Sequence, residues 1–217
     1  MRWLKLTILG LAMAGSARAE DIVDVLRRSQ QMRLDAMTPA SDPARIQVIR
    51  QSFDLLRQAL KSDLEVELQV VSGGTYAETL HGYVVVANTS LADLPEGERL
   101  FILAHELGHV AAGHWREMTA VYKRWVPGEV TQEKTDPVSG LLGRDASGLA
   151  HQQEFAADTF ALKVMRDLGW PEKHAFSVFL RQGMQHDTPT HPGTRKRIAS
   201  LRAAQTQVAP TSGSSAE

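Results

Sequence analysis

The sequence predicts an α+β domain, mostly helical, with one small antiparallel sheet. Two segments before residue 61 carry apolar residues at helical spacing, residues 65–88 alternate apolar and polar residues, and helical spacing returns beyond residue 96. A chain of 217 residues with 43% hydrophobic residues can bury one substantial core. It shows no fixed-period repeat, so a single domain over residues 20–204 is expected.

Residues 1–19 run from a positive start (Arg2, Lys5) through an apolar stretch to Ala17-Arg18-Ala19, a small-x-small cleavage pattern. The apolar run is shorter than the roughly 18–20 residues that span a bilayer, so a removable signal peptide is expected. The mature chain is then exported to the periplasm without a transmembrane segment. Losing Arg2, Lys5 and Arg18 leaves it mildly acidic. The balance of 24 Lys plus Arg against 25 Asp plus Glu offers no field of one sign, so no nucleic-acid partner is expected. With no cysteine, the chain has neither disulfides nor a cysteine lipid anchor.

The elements follow in order. Ile22, Val25, Leu26, Met32 and Leu34 predict a helix over residues 21–37, broken by Pro39 and Pro43. Asp42 as N-cap and Pro43 at the first helical position start a second, with Ile46, Ile49, Phe53, Leu56 and Leu60 in one stripe. Residues 65–88 predict two or three antiparallel strands turning at Gly73-Gly74, with a β-branched run at 83–87. Asp93 to Glu96 has capping-box spacing and opens a helix expected to run to about residue 120. The glycines and prolines of residues 124–147 read as a long loop. Helices are expected over 149–168, 172–182 and 193–204, then a disordered tail over 205–217.

The third predicted helix carries FILAHELGHVAAGH, residues 101–114. His105 and His109, four residues apart, share a helix face and can bind one ion, for which neutral imidazoles favour zinc. Glu106 is placed to take a proton from a water at the metal and pass it to a leaving amine, chemistry that hydrolyses a peptide bond. Unpaired imidazoles and a carboxylate among Leu103, Ala104, Leu107 and Val110 would otherwise be costly to bury. His114 lies about 500° around the helix from His109 and is expected to point away, in a supporting or structural role. Glu154 is the better third ligand, and Asp158, one turn on, can accept the free N–H of a ligand histidine.

HELGH at 105–109, EFAAD at 154–158 and HPGTRKRI at 191–198, in that order, resemble the gluzincin metallopeptidases that include the CAAX prenyl endopeptidases and the HtpX-type proteases. The likeness spans residues 64–201. It implies a zincin-like metallopeptidase domain with the small sheet packed on the HExxH helix. It also implies one Zn2+ per chain on His105, His109 and Glu154, Glu106 as catalytic base and Asp158 orienting a ligand histidine. By the same resemblance His191 steadies the developing oxyanion and Arg197 braces the site, while residues 75–80 stand where a substrate-aligning edge strand is expected. Membrane-embedded members carry further spanning helices that this sequence lacks, so processing of prenylated proteins is not expected.

The leading expectation is a zinc metalloendopeptidase acting on unfolded or extended polypeptides in the cell envelope. The alternative is a zinc-containing periplasmic chaperone or assembly factor with latent or no proteolytic activity. Latency could arise if the 124–147 loop, His186 or His191 filled the open metal position. Nothing in the sequence names a protein partner.

Overall fold

A computed structural model describes residues 20–61, 63–73 and 76–207. The expected leader at 1–19 lies outside the described residues, as do residues 208–217 of the expected tail. The first helix, α1, spans Ile22–Asp35, and the Asp21 carboxylate accepts the backbone N–H groups of Val23 and Asp24. The second, α2, spans Pro43–Leu60. As expected, Asp42 caps it by accepting from Ala44 and Arg45, with Pro43 opening the first turn. Ile49, Phe53 and Leu56 form its buried stripe.

The sheet has four strands: β1 (Thr38–Pro39), β2 (Glu67–Ser72), β3 (Ala77–Leu80) and β4 (Val84–Asn88), in the order β1-β2-β4-β3. It is mixed, not antiparallel throughout. β1 and β2 are antiparallel and so are β3 and β4, but β2 and β4 are parallel, with Glu67 opposite Val84 and Val71 opposite Asn88. Alternation assigns faces but not neighbours, so the turn at Gly73 suggests a β2–β3 hairpin where β4 in fact separates the two strands. All five residues of β4 are buried. Val85 and Ala87 face the main core, whereas Val84 and Val86 join Val71 and Leu80 over Leu34 and Met37. Edge strand β3 lies against the next helix.

A 3-10 turn over Thr89–Asp93 precedes α3, Glu96–Ala112. The expected capping box does not form. Pro95 occupies the N-cap position without a side-chain bond, and Asp93 pairs instead with Arg45 at 2.8 Å. Buried from Gly97 to Gly108, α3 is the central helix. It stops earlier than expected, because Gly113 takes a left-handed φ of 68° and donates its N–H to His109 and Val110. A separate helix, α4, then covers His114–Trp125.

Beyond α4, the expected long loop at 124–147 is mostly helical. A short α5 (Gln132–Thr135) and a 3-10 turn (Asp136–Val138) lead into α6, which runs from Ser139 to Asp167. Glycine in a helix costs about 1 kcal/mol relative to alanine, and α6 carries Gly140, Gly143 and Gly148. Tertiary contacts offset that cost: Leu142 and Val138 pack with Val126, Ile22 and Val23, and the Asp145 carboxylate accepts from Trp125 Nε1 at 3.1 Å. Two further helices, α7 (Lys173–Gln182) and α8 (Thr194–Gln207), complete the chain, so residues 205–207 of the expected tail are helical. No helix among the described residues is long and apolar enough to cross a membrane.

The main core joins α2, β4, α3, α6, α7 and α8 around Leu100, Phe101, Leu103 and Leu107. α3 and α6 approach closely at Gly108, where a Cβ would come within 3.2 Å of the Ala157 backbone. This approach sets the helix of Glu154 and Asp158 against the helix of His105 and His109. Leu100 is fully buried in the core. Leu100→Ala is expected to cost about 2–5 kcal/mol of stability, read from urea unfolding; a loss below about 1 kcal/mol would contradict this packing.

Candidate metal centre

His105 and His109 project from α3 towards Glu154 on α6, and one ligand atom from each can lie within 4.8 Å of the other two. The Nε2 atoms of His105 and His109 are 3.1 Å apart, and Glu154 lies 3.3 Å from His109 Nε2 and 3.5 Å from His105 Nε2. Two ligands at about 2.0–2.1 Å from a tetrahedral ion stand about 3.3 Å apart, a spacing these pairs approach, with Glu154 meeting His109 through Oε1 and His105 through Oε2.

The partners of the other ring nitrogens suit tautomers that leave Nε2 free. His105 Nδ1–H donates to Asp158 Oδ1 at 3.0 Å, leaving a lone pair on Nε2. His109 Nδ1 lies 2.8 Å from His114 Nδ1. With His109 donating and His114 accepting, His109 Nε2 is free as well. Burial, and then the charge of His109, lower the His114 pKa to about 4, which keeps that ring neutral. Two lone pairs facing each other at 3.1 Å repel unless a cation joins them. Glu154 Oε2 points the same way: it is buried without a hydrogen bond, although Arg197 Nη1 lies 3.1 Å off as an ion-pair partner. The donor set of two imidazoles and a carboxylate therefore fits zinc.

Asp158, fully buried, and Arg197 support this cluster from behind. Arg197 from α8 donates to both Asp158 oxygens, through Nε at 2.8 Å and Nη2 at 2.5 Å, and stacks over the Phe179 ring at 4.9 Å. Burial pushes the Asp158 carboxyl up, but Arg197 and the His105 hydrogen bond outweigh it and hold the pKa low. For Glu154 burial is likewise overcome, by His105, His109 and Arg197, and the carboxyl stays well below the usual range. Burial disfavours charge on His105, but Glu154 and Asp158 outweigh it and raise its pKa.

Glu106, 7% exposed, sits beside the cluster. Thr79 on β3 lies 2.7 Å from Glu106 Oε2 through its hydroxyl, which donates to that carboxylate. Spacing along the sequence gave no signal for Thr79, because the contact crosses from sheet to helix. His114 was expected to face away, but the turn at Gly113 brings it back onto His109, and an unbroken helical wheel misses this. His191 lies at the rim on the segment between α7 and α8, exposed, with Nε2 3.7 Å from Glu154 Oε1. Thr188 anchors it by accepting the His191 N–H and donating its own N–H to the His191 carbonyl. With residues 132–147 largely helical, the structure has no long loop there to close over the cluster.

Two cavities open on the cluster, one lined from α7 and the other from α1 and α4. One of about 620 Å³ is lined by Phe101, Ile102, Val178, Phe179 and Arg181. The other, about 480 Å³, is lined by Leu26, Trp115, Met118, Tyr122 and Ala146. Ala77, His105, Glu106, Glu154 and His191 border both.

The family model for Peptidase family M48 matches residues 48–205. No curated protein matches the chain.

Because Glu154 and Asp158 favour protonated His105, protons would compete with a metal for this residue, and metal binding would release them. Zinc affinity is expected to fall as pH drops, with the loss beginning above the ordinary histidine pKa of about 6.5. Chelator competition at pH 8 and pH 6 checks this; equal affinities would contradict it.

Proposed function

This chain belongs to Peptidase family M48, a family of zinc metallopeptidases, and on that premise we propose that it is an endopeptidase cutting extended or unfolded polypeptides in the cell envelope. The observation that carries the endopeptidase reading is the pair of cavities, one lined from α7 and one from α1 and α4, that meet at His105, Glu106 and Glu154. A site closed on one side would suit a chain end; this one leaves room for substrate to pass through.

β3 supplies the support for an extended substrate. Asn88 donates its N–H to the Tyr76 carbonyl, in register with the β3–β4 ladder. The alternation of an antiparallel pair then turns the N–H and C=O groups of Ala77 and Thr79 to the free edge. A substrate strand adding there is recognised by its backbone, which requires an unfolded segment.

His105, His109 and Glu154 would hold zinc, which when bound supplies Lewis acidity to polarise a carbonyl and lowers the pKa of water to about 7. Glu106 accepts the proton of the attacking water and delivers it to the amine leaving group. Thr79 fixes the rotamer of that carboxylate by its hydrogen bond. Asp158 and Arg197 hold the His105 ring in the tautomer that leaves Nε2 free, and His114 does the same for His109. His191, at the rim, is placed to donate to the oxyanion that forms at the attacked carbonyl. A role in holding clients without cleavage has no use for Glu106 or its Thr79 bond. The envelope location rests on the residue 1–19 pattern, and fractionation of cells expressing the full chain tests it.

Glu106→Gln is expected to retain zinc and lose cleavage of an unfolded protein such as casein by about 10²–10⁴-fold. Wild-type rates in that variant would end the mechanism. Thr79→Val is expected to lower kcat at least tenfold with little change in KM, and Thr79→Ser to restore most of it, since a hydrogen bond to a charged group is worth about 1.5–3 kcal/mol. Equal kcat in Thr79→Val and wild type would remove Thr79 from the mechanism.

A further inference from the structure

α1 precedes the residues matched by the family, 48–205, yet it borders the catalytic cleft. Leu26, Gln30 and Arg33, spaced so that they share one helix face, line the same cavity as His105, Glu106 and His109. Both ends of the helix are fastened. At its start Ile22 and Val23 pack on Val126, and the Val130 N–H donates to the Glu20 carbonyl. Near its end Leu34 packs beneath Val71, Leu80, Val84 and Val86.

The polar members of the cavity-facing stripe already have partners. Gln30 Oε1 accepts the His81 N–H at 2.5 Å, and Arg33 pairs with Glu78 on β3 at 2.9 Å. Leu26 is left as the contact α1 offers. Across the cavity stand Trp115, Met118 and Tyr122 of α4, spaced to share one face, with Ala146 and Ala150 of α6. The cavity, about 480 Å³ including the part over the His105–Glu154 cluster, is apolar along these walls and adjoins the free edge of β3. A strand laid along that edge sends alternate side chains to opposite faces, so one of them can enter this space.

We propose that α1 is the selectivity wall of this peptidase, and that the pocket between Leu26 and Met118 takes a bulky apolar side chain of the substrate on one side of the scissile bond. Arg33, paired with Glu78, adds no unpaired positive charge to the α1 wall with which to prefer an acidic residue. This inference rests on the endopeptidase reading and adds to it the class of residue recognised.

The test uses zinc-loaded full-length Glu106→Gln, so that binding is read without cleavage, and extended peptides differing only by Phe or Ala at successive positions. At one position Phe is expected to bind at least tenfold tighter than Ala. Leu26→Trp, which fills the pocket from α1, is expected to reduce that Phe-to-Ala ratio at least fivefold, and Met118→Trp, from the opposite wall, to do the same. Circular dichroism checks that each variant folds, and the two walls provide independent variants. A Phe-to-Ala ratio near one at every position, or one unchanged by either folded variant, overturns the proposal. Cleavage by the protein with Glu106 intact is measured on the same peptides. Selective binding without any cleavage would sink the endopeptidase reading while leaving α1 as the wall of a polypeptide-binding pocket.

Discussion

The Arg197–Asp158–His105 chain is the interaction on which the rest of the site depends. Two carboxylates, Asp158 and Glu154, are buried on α6 one turn apart, and burial alone would drive both towards their neutral forms. Arg197, from α8, lies within 3.1 Å of each and keeps them charged. Removing one partner of a buried ion pair typically costs about 3–5 kcal/mol, because the other charge is left uncompensated. α3, α6 and α8 are therefore locked together by the same groups that hold His105 in position. Stability and ligand geometry come from one network, and its chemistry is also what keeps Nε2 of His105 free.

α3 shows how such a network sits inside an apolar core. From Gly97 to Gly108 its residues are buried, so the helix has no solvated face on which polar groups could rest. Each polar side chain there has a partner from another element: Arg99 donates to Ser52 and to the Leu94 carbonyl, Glu98 pairs with Arg181, and Glu106 accepts from Thr79. The surrounding sheet and helices thus act as solvent for this helix. The edge strand contributes twice, by orienting the Glu106 carboxylate and by leaving the backbone of Ala77 and Thr79 unpaired beside it. Ala77 of that strand and His191 border both cavities.

Parts of this were legible in the sequence because they are local. An N-cap needs only the residue before a helix, so Asp42 and Pro43 announced α2. Two histidines four apart share a face of any α-helix, so His105 and His109 could be paired before a fold existed, and the same spacing put Glu154 beside Asp158. Parts were illegible because distant residues decided them. Gly140, Gly143 and Gly148 argue against a helix on propensity alone, yet packing against Val126 and α1 makes one. Asp93 and Glu96 have capping spacing, but Arg45 on another helix competes for the aspartate. The order of strands depends on which of them buries both faces, and the all-buried β4 takes the centre, between two strands that a local turn would have paired.

By itself the sequence determined the α+β class, the stripe of α2 and the residue types able to bind zinc, since periodicity and spacing act within a few residues. Only the tertiary structure decided which oxygen meets which ring. The turn at Gly113 sends His114 back to His109, β3 delivers Thr79 to Glu106, and α8 carries Arg197 to Asp158. The physical reason is that hydrogen bonds and ion pairs are satisfied over about 3 Å in space, whatever the distance along the chain. α1 follows the same rule: its stripe reads as ordinary packing until the fold sets Leu26 against the cleft.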